Sequence, residues 1–299
     1  MSIIRKEVIG GQTLILGDCL EVMPTLGRFD AVVTDPPYGT TQCAWDAAIP
    51  FAAMWGALAS CIGPDTPVLL FGSEPFSSML RASNLRRFKY DWIWDKPKAT
   101  GFLNAKKQPL RGHEIISVFY ERQPLYQPQM TKGVRKQTFR GKHLQTDVYG
   151  EMRGDYAYDS DQRYPNSVIT FSSDTQNSCY HPTQKPVALL EYLIETYTAP
   201  GRTVLDFTMG SGTTLVACQR LGREGTGIEI DPGYFEIACR RVEEAERQPD
   251  MFVQPAVTEL SQVAEWSRTD RGGRQFNLLD TAFGADEALS CSSQYGLCE

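Results

Sequence analysis

The string Thr34-Asp35-Pro36-Pro37-Tyr38-Gly39 places a carboxylate, two prolines and an aromatic ring directly after the apolar run Ala31-Val32-Val33. If that run is a strand, the four residues stand at its C-terminal end, where open α/β sheets hold their ligands. A strand ending in a turn, with Asp35 capping and Tyr38 packing, would explain an arbitrary Asp-Pro-Pro; the full string favours a site. A second signature is Val204-Leu205-Asp206-Phe207-Thr208-Met209-Gly210-Ser211-Gly212-Thr213-Thr214. Here an apolar run leads into a glycine-bearing turn and then a helix. The glycines let the backbone approach a ligand, and the helix N-terminus offers free N–H groups to an anionic group. Glu229 follows Gly212 by 17 residues, at the end of the next apolar run, in position to accept hydrogen bonds from ribose hydroxyls. The turn half-matches a dinucleotide fingerprint, but Leu215 stands where the third glycine or alanine belongs. No Lys-Ser/Thr follows the glycines, so it is not a Walker loop. The third string, His181-Pro182-Thr183-Gln184-Lys185-Pro186, reads by itself as a loop opening a helix at Val187.

These strings need elements to position them. Short apolar or β-branched runs alternate with helical patterns, which predicts an α/β fold with a mostly parallel sheet. Strands are expected at Thr13–Leu16, Asp30–Thr34, Pro67–Phe71, Tyr90–Trp94, Ile115–Tyr120, Thr203–Asp206 and Gly225–Ile230. Helices are expected at Phe51–Ile62, Pro75–Asn84, Val187–Tyr197, Thr213–Leu221 and Tyr234–Glu246. In the last, Phe235, Ala238, Val242 and Ala245 mark one buried face. From Arg122 to about Tyr164 the chain is rich in Gln, Lys, Arg, Tyr and Gly and loses its periodicity, reading as an insertion or small subdomain. Beyond Pro249 the pattern is again weak, with a short helix expected at Val257–Trp266 and a peripheral or flexible tail to Glu299.

A composition of 41% hydrophobic and 11% aromatic residues excludes disordered, collagen-like and coiled-coil chains. Met1–Glu7 has no apolar core, and the longest uncharged run, Ala47–Pro64, is broken by Pro50 and Gly63 and falls short of the ~20 residues of a spanning helix. Neither a signal peptide nor a membrane span is expected. The eight cysteines stand singly, without a Cys-x-x-Cys pair, and the three histidines are dispersed, so no metal site is expected and a reduced, cytoplasmic setting is. The net charge of −6 argues mildly against a nucleic-acid partner, but its distribution reverses that inference. Arg86 to Lys142 holds fourteen basic residues against four acidic ones, +10, which leaves −16 for the rest. Phe88, Tyr90, Phe102, Tyr126 and Phe139 are interleaved with these cations. Such a stretch reads as a face that tracks phosphates.

Taken jointly, residues 35–38, 181–186, 206–214 and Gly227-Ile228-Glu229-Ile230-Asp231-Pro232-x-Tyr234 closely resemble the motifs of the S-adenosylmethionine-dependent DNA amino-methyltransferases. Gly17-Asp18-Cys19, and Trp94-x-Lys96 with Gly101-Phe102-Leu103-Asn104, fit the same family, and the similarity runs from about Leu14 to Phe252. The Asp35 motif precedes the cofactor glycines, as in the circularly permuted, β-type arrangement. The resemblance implies a Rossmann-like fold, with helices on both faces of a mostly parallel sheet. It implies a catalytic domain over residues 1–250, a target-recognition insertion at 122–165 and a C-terminal extension at 251–299. The implied cofactor is S-adenosyl-L-methionine and the implied partner double-stranded DNA; relatives of this type often pair, which leaves a homodimer open.

On the same resemblance Asp35, Pro36, Pro37 and Tyr38 are catalytic. An exocyclic amine is a poor nucleophile because its lone pair is conjugated with the ring. The Asp35 carboxylate and Pro36 carbonyl would accept its two N–H bonds, turning nitrogen toward sp³, while Tyr38 offers a stacking face to an extruded base. The remaining demand is alignment for in-line displacement. Asp18, Cys19, Asp35, Lys185, Asp206, Phe207, Thr208, Gly210, Ser211, Gly212, Thr213, Thr214, Glu229 and Ile230 would hold the cofactor, with Glu229 on the ribose and Asp18 on the adenine. Residues 208–213 and Lys185 would take the methionine end. Lys96, Lys98, Lys106, Lys107, Arg111, Lys132, Arg135, Lys136, Arg140 and Lys142 would meet DNA, and the insertion would read base edges. Methylation at cytosine C5 needs a thiolate that in those enzymes follows a proline, and no cysteine here does. Family members acting on cytosine N4 more often carry serine in place of Asp35, so adenine N6 is the expected target and cytosine N4 the alternative. A catalytically silent DNA-binding protein of the same fold ranks below both.

Overall fold

The apolar runs of the sequence form the middle of a nine-stranded sheet. The computed structural model describes residues 3–39, 48–140, 144–146, 150–152, 156–172, 184–247, 268–269 and 275–276. In chain order the elements are β1 (Ile3–Ile9), β2 (Gln12–Gly17), α1 (Cys19–Val22), β3 (Ala31–Thr34), α2 (Phe51–Leu58), β4 (Val68–Gly72), α3 (Phe76–Ser83), β5 (Phe88–Thr100) and β6 (Arg111–Phe119). There follow β7 (Thr131–Arg140), β8 (Leu144–Thr146), β9 (Gly150–Met152), β10 (Tyr156–Arg163), β11 (Val168–Thr170), α4 (Val187–Tyr197), β12 (Thr203–Asp206), α5 (Thr213–Leu221), β13 (Glu224–Glu229) and α6 (Pro232–Arg247). The sheet order is β1-β2-β13-β12-β3-β4-β6-β5-β11. Strands β2, β13, β12, β3 and β4 run parallel; β6 is antiparallel to both neighbours, and β1 is an antiparallel edge.

The central strands are apolar on both faces because both are covered. Ile15, Val32, Leu70, Leu205 and Ile228 pack with Val22, Met54, Leu58, Phe76 and Leu80 from α1, α2 and α3. The alternate residues Val33, Leu69, Phe71 and Val204 meet Leu189, Leu190, Leu193 and Ile194 of α4. Leu14 and Leu16 meet Leu215 of α5 and Phe235 and Val242 of α6. Helices α4 and α5 span the expected residues, because their buried faces repeat cleanly and Pro186 and Gly222 bound them.

Departures occur where no face is buried. Strand β1 was not expected: its residues are largely exposed on both sides, so no apolar alternation marks it. Strand β5 continues beyond Trp94 to Thr100 as a ribbon paired with β6. The aperiodic stretch after Arg122 contains the antiparallel pairs β7–β10 and β8–β9. The chain divides into two units, Met1–Val253 and Gln254–Glu299, the second holding the short antiparallel pair β14 (Arg268–Thr269) and β15 (Gln275–Phe276). The helix expected at Val257–Trp266 lies outside the described residues. Among the described residues no helix is long and apolar enough to cross a membrane, and no cluster of His, Cys, Asp or Glu could hold a metal ion.

Candidate active site

The chain leaves β12 through α5 to reach β13 on one side, and leaves β3 through α2 to reach β4 on the other. Such a reversal opens a crevice at the strands' C-terminal ends. A cavity of about 470 Å3 lies there. It is lined by Asp18, Cys19, Asp35, Pro36, Pro37, Tyr38, Lys185, Asp206, Phe207, Thr208, Gly210, Ser211, Thr213, Thr214, Glu229 and Ile230, by Thr34 and Tyr234 from the same motifs, and also by Glu114, which no motif contains.

Asp206 is buried beneath the glycine turn. Its Oδ1 accepts from the Thr34 hydroxyl at 2.6 Å and the Thr208 amide at 3.2 Å, and its Oδ2 from Thr214 Oγ1 at 2.5 Å. Burial pushes its carboxyl up to about 6, against these hydrogen bonds, which favour the ionised form. The Thr208 hydroxyl also donates to the Asp35 carbonyl at 3.1 Å, joining the two motifs. Gly212 does not line the cavity; it has φ +76°, and a Cβ there would stand 2.9 Å from Ala238 Cβ of α6. That helix also sends buried Arg241 into the turn, where Nη1 donates to Ser211 O, Ser211 Oγ and Thr213 Oγ1 at 2.6, 2.9 and 2.9 Å. No motif contains Arg241. Glu229 ends β13 and accepts from the amides of Gly210, Ile230 and Asp231 at 2.9, 3.0 and 2.8 Å. Burial still holds its carboxyl above the usual range.

At the other end of the cavity, Tyr38 donates to Asp35 Oδ1 at 2.5 Å and packs its ring on Phe76, with centroids 4.9 Å apart. Lys185 donates to Asp35 Oδ2, and its Nζ lies 3.2 Å from Glu114 Oε2. Glu114 Oε1 in turn accepts from Lys96 Nζ at 2.5 Å. Asp35, Lys185, Glu114 and Lys96 therefore form an alternating row of charges, with both lysine side chains less than 10% exposed. Buried ions persist only when paired in this way. Burial raises the Asp35 carboxyl above its ordinary value, with Lys185 opposing it and Glu114 adding to it. Burial also favours neutral Glu114 and Lys185, yet their neighbours outweigh it: Glu114 is lowered and Lys185 raised, so both stay charged. Cys19, although it lines the cavity, has its thiol pushed up to about 12 by burial and by Asp18, so it is no thiolate nucleophile.

A family model for DNA methylases matches residues 29–240. The chain belongs to the N6/N4 DNA methylase family. Type II methyltransferase M1.MboII of Moraxella bovis is 26% identical over 231 residues, covering 69% of this chain and 86% of that one. M.HpaI of Haemophilus parainfluenzae, also a Type II methyltransferase, is 27% identical over 257 residues, covering 78% and 74%. Two solved structures share the fold. The M1.HpyAVI complex with SAM has a TM-score of 0.52 and 23% identity, over 77% of this chain and 98% of that one. PvuII DNA methyltransferase, described as cytosine-N4-specific, has a TM-score of 0.59 and 15% identity, over 83% and 96%.

The cofactor of this methylase family is S-adenosylmethionine, which carries a flat base, a ribose diol, a cationic sulfur and an ammonium–carboxylate end. The cavity fits that chemistry. The carboxylates of Asp18, Asp35 and Glu229 complement its hydroxyls and cations, Leu20, Phe207 and Ile230 offer apolar surface, and the glycine turn brings backbone within reach.

The methylase's basic residues fall into different settings. Lys98, Lys106, Lys107, Lys132 and Lys136 are exposed. Arg111 is exposed and donates to Ser73 at 3.2 Å, and Arg135 is bidentate on Asp159 at 2.7 and 2.9 Å. Lys96, expected on the DNA face, is instead half-buried and paired with Glu114, its ammonium 5.2 Å from the Trp94 ring centre, so its charge is already engaged within the protein. Arg86 and Arg87 both pair with Glu121. Only the backbone of Arg140, at the end of β7, is described, and Lys142, like His181, Pro182 and Thr183, lies outside the described residues.

Proposed function

We propose that this DNA methylase methylates the N6 amine of an adenine turned out of duplex DNA, and that it acts as a Type II methyltransferase at a specific site. The carrying observation is the Asp35 carboxylate, exposed enough to line the cavity and backed by Lys185, at the position where N4-cytosine members more often carry serine. Glu229 would hold the cofactor's ribose and Asp18 its adenine; the turn at 208–213 and Lys185 would receive the methionine end. When bound, the cofactor supplies an electrophilic methyl group. Asp35 and the Pro36 carbonyl accept the two amine hydrogens, which frees the nitrogen lone pair and orients it. Tyr38 fixes one carboxylate oxygen and offers its ring to the base. Once the nitrogen has gained the methyl group it must shed a proton, and Asp35, with its carboxyl raised by burial, is the adjacent acceptor. The β7–β10 hairpin and its neighbours, within residues 122–165, form the target-recognition region.

Nucleoside analysis of duplex DNA treated with the protein and methyl-labelled cofactor should place label in N6-methyladenine, and Asp35→Ala should remove it by on the order of 10²-fold or more. Label in N4-methylcytosine alone would overturn the choice of base. Full activity in Asp35→Ala would move the active site elsewhere. Sequencing of methylated DNA from expressing cells supplies the recognition site.

A further inference from the structure

The hairpin that carries Lys96 and Glu114 continues well past them. Asp95 pairs with His113 and Thr100 with Arg111, so β5 and β6 leave the sheet as a two-stranded arm. Strand β5 runs in the same direction as β3 and β4, and Glu114 at the arm's root lines the cavity. The arm therefore projects from the sheet edge at which the cavity opens; its paired rise from His113 to Arg111 is about 7 Å, with β5 bulging between Asp95 and Thr100.

Its tip is ordered by its own backbone. Gly101 takes φ +89° and starts a single 3-10 turn over Phe102–Asn104. Asn104 and Ala105 donate to the carbonyls of Gly101 and Phe102 at 3.0 and 3.1 Å, and Lys107 and Gln108 donate to Asn104 O at 2.8 and 3.0 Å. This turn presents two adjacent apolar side chains to solvent: Phe102 is 77% exposed and Leu103 84%. Along the chain they are flanked by exposed Lys98, Lys106, Lys107 and Arg111, and no acidic residue occurs from Lys96 to His113. Cations flanking an apolar tip complement a duplex, which offers phosphates outside and stacked bases within.

We propose that Phe102 and Leu103 form a wedge that enters the base stack beside the target nucleotide and fills the space its extruded base leaves, while Lys98, Lys106 and Lys107 hold the flanking phosphates. The proposal rests on the reading that the protein methylates an extruded base in duplex DNA. An unstacked base is costly to hold out, and a side chain that takes its place lowers that cost.

The test uses the full chain, S-adenosylmethionine and two duplexes of the sequence found by methylation sequencing. One is intact; in the other the nucleotide opposite the target is abasic, so the target is already unpaired. Phe102→Ala/Leu103→Ala should slow methylation of the intact duplex on the order of tenfold or more and suppress the fluorescence rise of 2-aminopurine at the target position. The abasic duplex should be methylated within about threefold of the rate of the unsubstituted chain, and Phe102→Leu/Leu103→Met should recover most of the rate on intact DNA. Equal losses on both duplexes, or no loss on either, would sink the wedge. So would a dimer that falls to monomers in the double variant with equal losses on both duplexes, which would assign the tip to a second copy of the chain. If sequencing finds no methylated site, the underlying reading fails before any variant is made, and the wedge fails with it.

Discussion

At Asp35 two opposed effects meet. Burial raises its carboxyl, while Lys185 stabilises the carboxylate that must accept the amine's hydrogens. Activity should therefore fall on the acid side as Asp35 takes up a proton. Lys185→Met should move that limb of the kcat profile to higher pH, and Lys185→Arg should largely restore it; an unmoved limb in Lys185→Met would show that the ammonium does not set the charge of Asp35. Asp206 gives a stability effect of definite sign. An unfolded aspartate titrates near ~3.9, whereas folding carries Asp206 to about 6, so between these values the folded chain binds more protons. Its contribution is most favourable at low pH and is lost as pH rises through about 6. Asp206→Asn should remove that part of the slope in urea unfolding followed from pH 4 to pH 8. Asp35 and Asp206 were legible as residues because each sits in a compact local string. Glu114 was not, since nothing near it in the chain distinguishes it from a surface acid on a strand.

Among the elements, the glycine turn depends on α6. Gly212→Ala meets both a left-handed φ and Ala238 at 2.9 Å, whereas Gly201, with φ +74°, has nothing within 4 Å of its Cβ position. Gly201→Ala should cost about 1 kcal/mol from backbone strain alone, and Gly212→Ala on the order of 2–4 kcal/mol, since overpacking is added to the strain. Urea midpoints compare the two, and calorimetric titration with S-adenosylmethionine should show weakened binding only in Gly212→Ala. The helices α4 and α5 were readable because one buried face repeats every 3.6 residues between a proline and a glycine. The far half of β5, β1 and the β7–β10 hairpin were not, because their order comes from backbone pairing with a partner strand while most of their side chains face solvent.

For the whole molecule, the balance of −6 conceals a basic stretch, and folding then edits that stretch. Arg86 and Arg87 pair with Glu121, Arg135 with Asp159 and Lys96 with Glu114, while Lys98, Lys106 and Lys107 stay exposed on one arm. Each phosphate neutralised contributes about 0.9 to the slope of log K against log salt. Replacing Lys98, Lys106 and Lys107 together with glutamine should therefore lower the magnitude of that slope by about 2–3, read from duplex-binding titrations at several salt concentrations; an unchanged slope would exclude the arm from the phosphate contacts. Apolar period and turn chemistry act over a few neighbouring residues, so the family motifs, the strand–turn–helix units and the carboxylates at their ends can be read along the chain. Which charges remain available depends on the fold. The Asp35–Lys185–Glu114–Lys96 row joins residues from β5, β6 and the segments after β3 and before α4. Coulomb attraction and hydrogen bonding act through distance in space, which the order of the strands sets and the spacing of residues along the chain does not reveal.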